Sequence, residues 1–475
     1  MGTQTFKITL DSGALLFGRV VGLLLGIIRL NYLATHLGVA NFGILNFAAY
    51  FTALFQVFFD LGLTQLLTRD MARNLTRGAE LLGQLLVPKL ATALAAAVVL
   101  TLIVLVSDFD PTTRVALLLT TAALTLNSLG QTFLGALQAY RKMVLVAVSN
   151  IFNDSLLSVA IIVLIPRFPE VSTALLLTAG VAALNLTALV AITIRVVGAP
   201  HLRYDPSTMR LVVREGLPIA ISGMAIAIYT YIGPTLLRYM RGDVEVGIFS
   251  AGYKLISILT LVPVAFTQVL YPIFSDFFTN APAKVGKALQ DSLRVMSEIS
   301  FPLAVGTVIL APSIIDFLYP SAFAEAALVL QLMVLGNALG FLGWILYTFM
   351  LALNRHRLCM WVMLGAAAAV TVANVSLIPA FGHTAVAGIS FLNEWIIFGI
   401  LLFSARNMGY GVRLVGHTPK LVLATGGMGL AVYLSRHASL ALVIPAGICL
   451  YVVFMLALRA IGDQERELLS RFINR

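Results

Sequence analysis

Apolar residues in this chain come in long, nearly unbroken runs rather than in the alternation of a half-buried strand. Runs long enough to cross a bilayer fall at about 13–37, 44–67, 86–106, 114–138, 144–165, 174–197, 215–238, 247–272, 296–318, 327–351, 358–379, 385–405, 420–436 and 438–460. Each exceeds the roughly 9–11 residues of a membrane strand and none alternates strictly, which favours helices over a barrel. The pattern predicts an all-α polytopic membrane protein of about 14 transmembrane helices. The thirteenth run is short and carries Gly426, Gly427 and Gly429, so 12 or 13 crossings are the alternatives. Between Phe274 and Met296 polar and apolar residues mix, and a linker helix along the cytoplasmic surface is expected there.

Composition agrees. Of 475 residues 60% are hydrophobic and 11% charged, which excludes a soluble globule. The net charge of +10 is mainly a topology signal. With a cytoplasmic N-terminus, the outer segments hold only Arg114, Arg167, Arg238, Arg241 and Arg436, while Lys89 is counted with the cytoplasmic Arg69, Arg73 and Arg77. Both termini are then cytoplasmic, and the first run is a retained signal anchor. The six histidines lack ligand or triad spacing, and no Walker motif is present. Cys359 and Cys449 lie in apolar runs and match no metal or disulfide spacing. No catalytic or metal site is therefore expected, and no cofactor.

The first run carries Arg19 and Arg29, where a charge at the bilayer centre costs about 2.5–3.5 kcal/mol. Gly18, Gly22 and Gly26 share their face, within about 100° on a helical wheel, and the arginines are about 15 Å apart along the axis. A small-residue, cationic side lining a wet cavity fits this pattern and could hold an anionic headgroup. The competing reading has both arginines snorkelling to opposite surfaces.

The chain also repeats itself. Gly43-Ile-Leu-Asn-Phe-Ala-Ala-Tyr50 matches Gly247-Ile-Phe-Ser-Ala-Gly-Tyr253, Thr64-Gln65 matches Thr267-Gln268, and Leu164-Ile165-Pro166 matches Leu377-Ile378-Pro379. Two six-helix lobes follow, 1–205 and 206–410, in parallel orientation, with 411–475 adding two helices and a cytoplasmic tail. Residues 198–214, with prolines and charges, read as the linker.

Tyr32-Leu-Ala-Thr-His-Leu-Gly38-Val-Ala-Asn-Phe-Gly43-Ile-Leu-Asn-Phe47, then Asp60-Leu-Gly62, Leu67-Thr-Arg69-Asp-Met-Ala-Arg73 and Leu377-Ile-Pro379-Ala-Phe-Gly382, resemble the oligosaccharide flippases or polysaccharide transporters. That family belongs to the multidrug/oligosaccharidyl-lipid/polysaccharide exporter superfamily, and the resemblance covers about residues 10–405. It implies two pseudo-symmetric bundles around a central cavity, and translocation of a lipid-linked oligosaccharide across the cell membrane for polysaccharide biosynthesis. A polysaccharide polymerase and glycosyltransferases are the partners expected beside it.

On that reading Arg19, Arg29 and Lys254 bind the phosphate or pyrophosphate of a polyprenyl-linked glycan, arginine's planar fork suiting phosphate oxygens. Asn46, Tyr50, Gln56, Asp60, Ser250, Ser257 and Asn337 are the expected polar lining of the cavity, with Asn46 to Thr64 taken as one helical face. Asp60, Asp154 and Glu394 are the candidates for neutralising the cations or coupling to H+ or Na+. Prolines 218, 234 and 263 predict kinks suited to alternating access. A cation-coupled multidrug exporter would favour an acidic cavity. A membrane-embedded glycosyltransferase or ligase would need a larger outer domain than these short loops provide.

Overall fold

The computed structural model describes the backbone of residues 2–203, 217–411 and 418–458, and their side chains other than those of residues 2–20, 23, 217–219, 222 and 418. Every regular element among them is helical: α1 (Gly2–Phe55), α2 (Leu63–Arg73), α3 (Gly78–Val106), α4 (Pro111–Ala139), α5 (Met143–Leu164), α6 (Val171–Val197), α7 (Leu217–Arg241), α8 (Asp243–Leu259), α9 (Leu261–Asn280), α10 (Pro282–Leu318), α11 (Ala326–Ala352), α12 (His356–Asn407), α13 (Thr418–Leu434) and α14 (Leu440–Ala457), with short 3-10 turns between some of them. Within the described residues the apolar runs lie on these helices, the second and the eighth interrupted by breaks. Ten stretches of the described residues are long and apolar enough to cross a membrane, and the 17-residue α13 is shorter, in line with its weak run. Most of the expected linker at 198–214 and the tail beyond 458 lie outside the described residues.

Two of the longest helices hold two runs each. α1 breaks at Gly38 (φ 72°, ψ 172°) and α12 at Gly382 (φ 55°, ψ −133°), backbone angles at positive φ that L side chains resist. The eighth run breaks at Thr260, three residues before Pro263, whose missing amide hydrogen leaves the Leu259 carbonyl without a helical donor. Between 274 and 296 the structure corrects the sequence reading. No separate surface helix forms; α9 runs on to Asn280, the chain turns at Ala281, and α10 continues unbroken from Pro282 to Leu318. Proline at the first position of α10, where an amide hydrogen is not needed, lets that helix start there.

The chain divides into two compact units, Met1–Gly247 and Ile248–Arg475. In the first, α1 packs chiefly on α5 and α7, and α4 on α6 and α3. Leu67, Met71, Leu82, Leu134, Leu137 and Leu189 form an interior at the α2, α3, α4 and α6 junction. In the second, α11 is wrapped by α12, α10 and α9, and α13 and α14 pack on α10 around Leu310, Met428, Val432 and Val443. Large apolar side chains also cover the outside: Leu94, Val98, Leu102 and Leu105 of α3, each more than half exposed, recur at three- and four-residue spacing. That is a lipid-facing stripe, the reverse of a soluble helix.

Candidate substrate and coupling site

The first run is helical as expected, but its glycine face is partly occupied. A Cβ at Gly22 would lie 2.7 Å from Asp154 Oδ2, so the absent side chain is what lets the α5 carboxylate settle on α1. Ser158, one turn further along α5, donates to the Leu25 carbonyl at 3.4 Å. Gly26 has no neighbour within 4 Å of where its Cβ would be. The face thus packs against α5 at one end and is open one turn later.

Arg29 lies at the open end. Its Nη1 is 3.9 Å from Asp154 Oδ1, too far for a hydrogen bond, with the two side chains 24% and 36% exposed. That Nη1 is buried and makes no hydrogen bond among the described residues. A guanidinium placed in this way is half-neutralised and keeps donors for a further acceptor. The side chain of Arg19, on the same helix, lies outside the described residues.

Asp60 is bound differently from the reading of the sequence. The expected continuous helix over 44–67 ends at Phe55, becomes a 3-10 turn at Gln56–Phe59, and passes through Leu61 (φ 45°) and Gly62 (φ 76°) before α2 begins. Lys89, assigned by the sequence to the cytoplasmic loop, is instead wholly buried and ion-paired to Asp60. Its Nζ also donates to Ser128 Oγ at 2.9 Å, Ser128 donates to the Phe59 carbonyl at 3.0 Å, and Thr64 donates to Asp60 at 2.5 Å. The lysine and its hydrogen bonds therefore pin the break. The single helical face drawn through Asn46, Asp60 and Thr64 is interrupted there, and Asp60 is a committed partner rather than an unpaired carboxylate.

Other lining candidates divide by burial. Asn46 is 3% exposed and donates to the Phe42 carbonyl of its own helix at 2.8 Å; Tyr50 is 4% exposed and stacks on Tyr231; Ser250 is fully buried. These three sit in packed interior, because helical spacing identifies a face without identifying what covers it. Gln56 and Ser257 are exposed, and Ser257 donates to the Lys254 carbonyl. Lys254, Asn337 and Glu394 are half-buried; Asn337 donates to the Met333 carbonyl, and Glu394 Oε2 lies over Gly340, 2.7 Å from where a Cβ would be. Each unit thus holds a carboxylate seated on a glycine. Among the described residues no three metal-ligating side chains come together.

Sequence reasoning missed two groups. Lys89 is three residues inside an apolar run, a signal outweighed by its nearness to the loop arginines. Arg238, read as an outer-loop charge, is only 13% exposed and heads a polar cluster.

The architecture is similar to solved structures of membrane transporters. A lipid II flippase, MurJ, in an inward closed conformation superposes with a TM-score of 0.74 at 14% identity, covering 97% of this chain and 100% of that one. An inward-facing MATE multidrug resistance transporter of the MOP superfamily gives 0.63 at 14%, covering 82% and 98%. The Vibrio cholerae MATE transporter VcmN gives 0.61 at 12%, covering 86% and 98%. No curated protein matches in sequence. At these identities the likeness shows the fold alone, an all-helical multi-pass arrangement that this chain shares with those transporters. Residues 9–278, more than half of the chain, match the polysaccharide biosynthesis protein family, and the chain belongs to that family.

Proposed function

We propose that this protein is a flippase that moves a polyprenyl-(pyro)phosphate-linked oligosaccharide from the cytoplasmic to the outer leaflet by alternating access, for assembly of a cell-surface polysaccharide. Membership of the polysaccharide biosynthesis family supports the glycan, and the lipid II flippase fold supports a lipid-linked one. The observation that carries the reading is Arg29, half-buried in an apolar helix with, among the described residues, a buried donor unspent and a loose carboxylate neighbour. A phosphate oxygen suits that donor: it is anionic, accepts planar bidentate bonds, and repays the cost of holding a cation in the bilayer. Arg19 and Lys254 are the further phosphate ligands in this proposal. Asp154 and Glu394 are the acids that neutralise or couple, with H+ or Na+ as the ion; Asp60, held by Lys89, is the weakest of the three.

The repeat supports two lobes, 1–205 and 206–410, followed by the helices of 411–475. The lysine and arginine distribution supports a cell-membrane protein with both termini cytoplasmic. A cation-coupled multidrug exporter shares the fold, but the family match and the cationic first helix favour the phosphate-bearing cargo. In cells that depend on this protein for their surface polysaccharide, Arg29→Ala is expected to lower outer-leaflet appearance of the lipid-linked glycan at least about tenfold with membrane levels unchanged. Unchanged translocation would reject the reading.

A further inference from the structure

Arg238, at the last turn of α7, is the centre of a contact that the substrate reading does not use. Its Nε donates to Asp243 Oδ1 at 2.7 Å, and its Nη2 to Asp110 Oδ1 at 2.8 Å and Thr113 Oγ1 at 2.7 Å. The guanidinium carbon lies 4.6 Å from the centroid of the Phe47 ring and 5.7 Å from that of Phe109. One side chain therefore ties the α7–α8 turn, the start of α4 and the second half of α1. Phe47, Phe109 and Tyr239 close around it with ring centroids about 6 Å apart.

Beside this cluster the backbones touch. A Cβ at Gly43 would lie 1.8 Å from the Asp243 carbonyl oxygen, and one at Gly247 would lie 2.2 Å from the Val39 carbonyl oxygen. Val39 and Asp243, like Gly43 and Gly247, are 204 positions apart, the spacing of the internal repeat. The contact is thus reciprocal: each copy of the repeat presents the same glycine to the same backbone position of the other. By sequence α7 belongs to the second repeat, yet by packing it belongs to the unit formed with the first.

We propose that this cluster is a releasable clasp, closed here, that gates the end of the transporter where the α3–α4 and α7–α8 turns meet. Opening separates α7 and the first turn of α8 from α1 and the start of α4. The joint suits release. Glycine against backbone is a smooth surface with no interlocked side chains to withdraw, and Asp110 is 48% exposed, so water can take over its hydrogen bonds when the arginine leaves. Arg238 likewise exchanges ring faces and carboxylates for solvent, as an element with two arrangements requires. The proposal rests on the transporter class and not on the identity of the cargo, and its test needs no cargo.

The full-length chain, with Cys359→Ser and Cys449→Ser, carries Phe47→Cys in lipid nanodiscs and is treated with a bulky, water-soluble maleimide. Phe47 is fully buried in the closed clasp. Adding Arg238→Gln is expected to speed labelling at least about tenfold, the population shift of an opening that loses three hydrogen bonds, while Arg167→Gln, an exposed arginine of the α5–α6 turn, leaves the rate unchanged. Parent-rate labelling in a folded Arg238→Gln protein overturns the proposal. Should Arg238→Gln fail to fold, the Phe47→Cys protein with its native arginine decides. Labelling to completion without loss of folded protein supports a clasp that opens, and labelling only as fast as the protein unfolds shows a permanent joint. Because no glycan enters the assay, either failure leaves the substrate reading untouched.

Discussion

Two oppositely charged pairs sit in apolar helices of the same unit and are built in contrasting ways. Lys89 is sealed from solvent, bound to Asp60 and Ser128, and continued by Ser128 onto the Phe59 carbonyl, so the charge and its neighbours are satisfied. Arg29 is partly exposed, stands 3.9 Å from Asp154, and among the described residues leaves a buried nitrogen without a hydrogen bond. In hydrocarbon a polar group with no water must find its partners inside the protein. The closed pair has done so and acts as architecture, holding the break before Gly62. The open pair has not, which is the mark of a place where a further acceptor arrives.

The largest effect separating them is on folding. Lys89→Ala leaves Asp60 without its counter-charge and is expected to cost about 3 kcal/mol, read as a drop in thermal stability in detergent, with part recovered in the Lys89→Ala/Asp60→Ala double variant. An equal loss from Arg29→Ala would erase the distinction; that variant is instead expected to keep its stability and to lose binding. Inorganic pyrophosphate should raise the melting temperature of the parent and not of Arg29→Ala. Asp154→Asn keeps the shape above Gly22 but removes the competing anion, so the same pyrophosphate titration is expected to bind a few-fold tighter, the scale of a loose ion pair. A smaller effect comes from Gly22→Ala, whose methyl would press on the Asp154 carboxylate, against no effect from Gly26→Ala, where the space is empty.

The smallest involves a third pair outside the spans, Asp110 with Arg238. Burial pushes the Asp110 carboxyl up, but hydrogen bonds from Thr113 and Arg238 outweigh it and hold the group below the ordinary carboxylate value. A depressed carboxylate stabilises its contact above the unfolded value and loses that contribution as pH falls through the folded one. The labelling rate of Phe47→Cys, divided at each pH by that of the denatured protein to remove the loss of thiolate, should therefore stay flat from neutral pH down to about 4 and rise only below it. A rise near pH 6 would assign the control to another group.

The helical runs were legible because bilayer thickness imposes length and hydropathy on each segment independently of its neighbours. The repeat, and Asp154 as one of three acids able to neutralise the buried cations, could also be read from the sequence, but not that Asp154 sits on Gly22 beside Arg29. Burial of Asn46 and Tyr50 could not, since a helical wheel gives direction and not what lies there. Lys89 was lost for a related reason: its partner is 29 positions earlier, beyond a helix break created by Leu61 and Gly62 that the apolar run conceals. Arg238 looked like a loop charge because its acceptors, Asp110 and Thr113, come from a turn more than a hundred residues earlier.

Gly43 and Gly247 set a rule on how this chain can change over generations. Two stretches that merely match in sequence are ordinarily at liberty to differ. At this spot each copy is the wall against which the other is cast, and even one methyl has nowhere to go on either side. Two glycines 204 positions apart and facing each other therefore hold their identity by mutual contact, whatever the rest of the two stretches does.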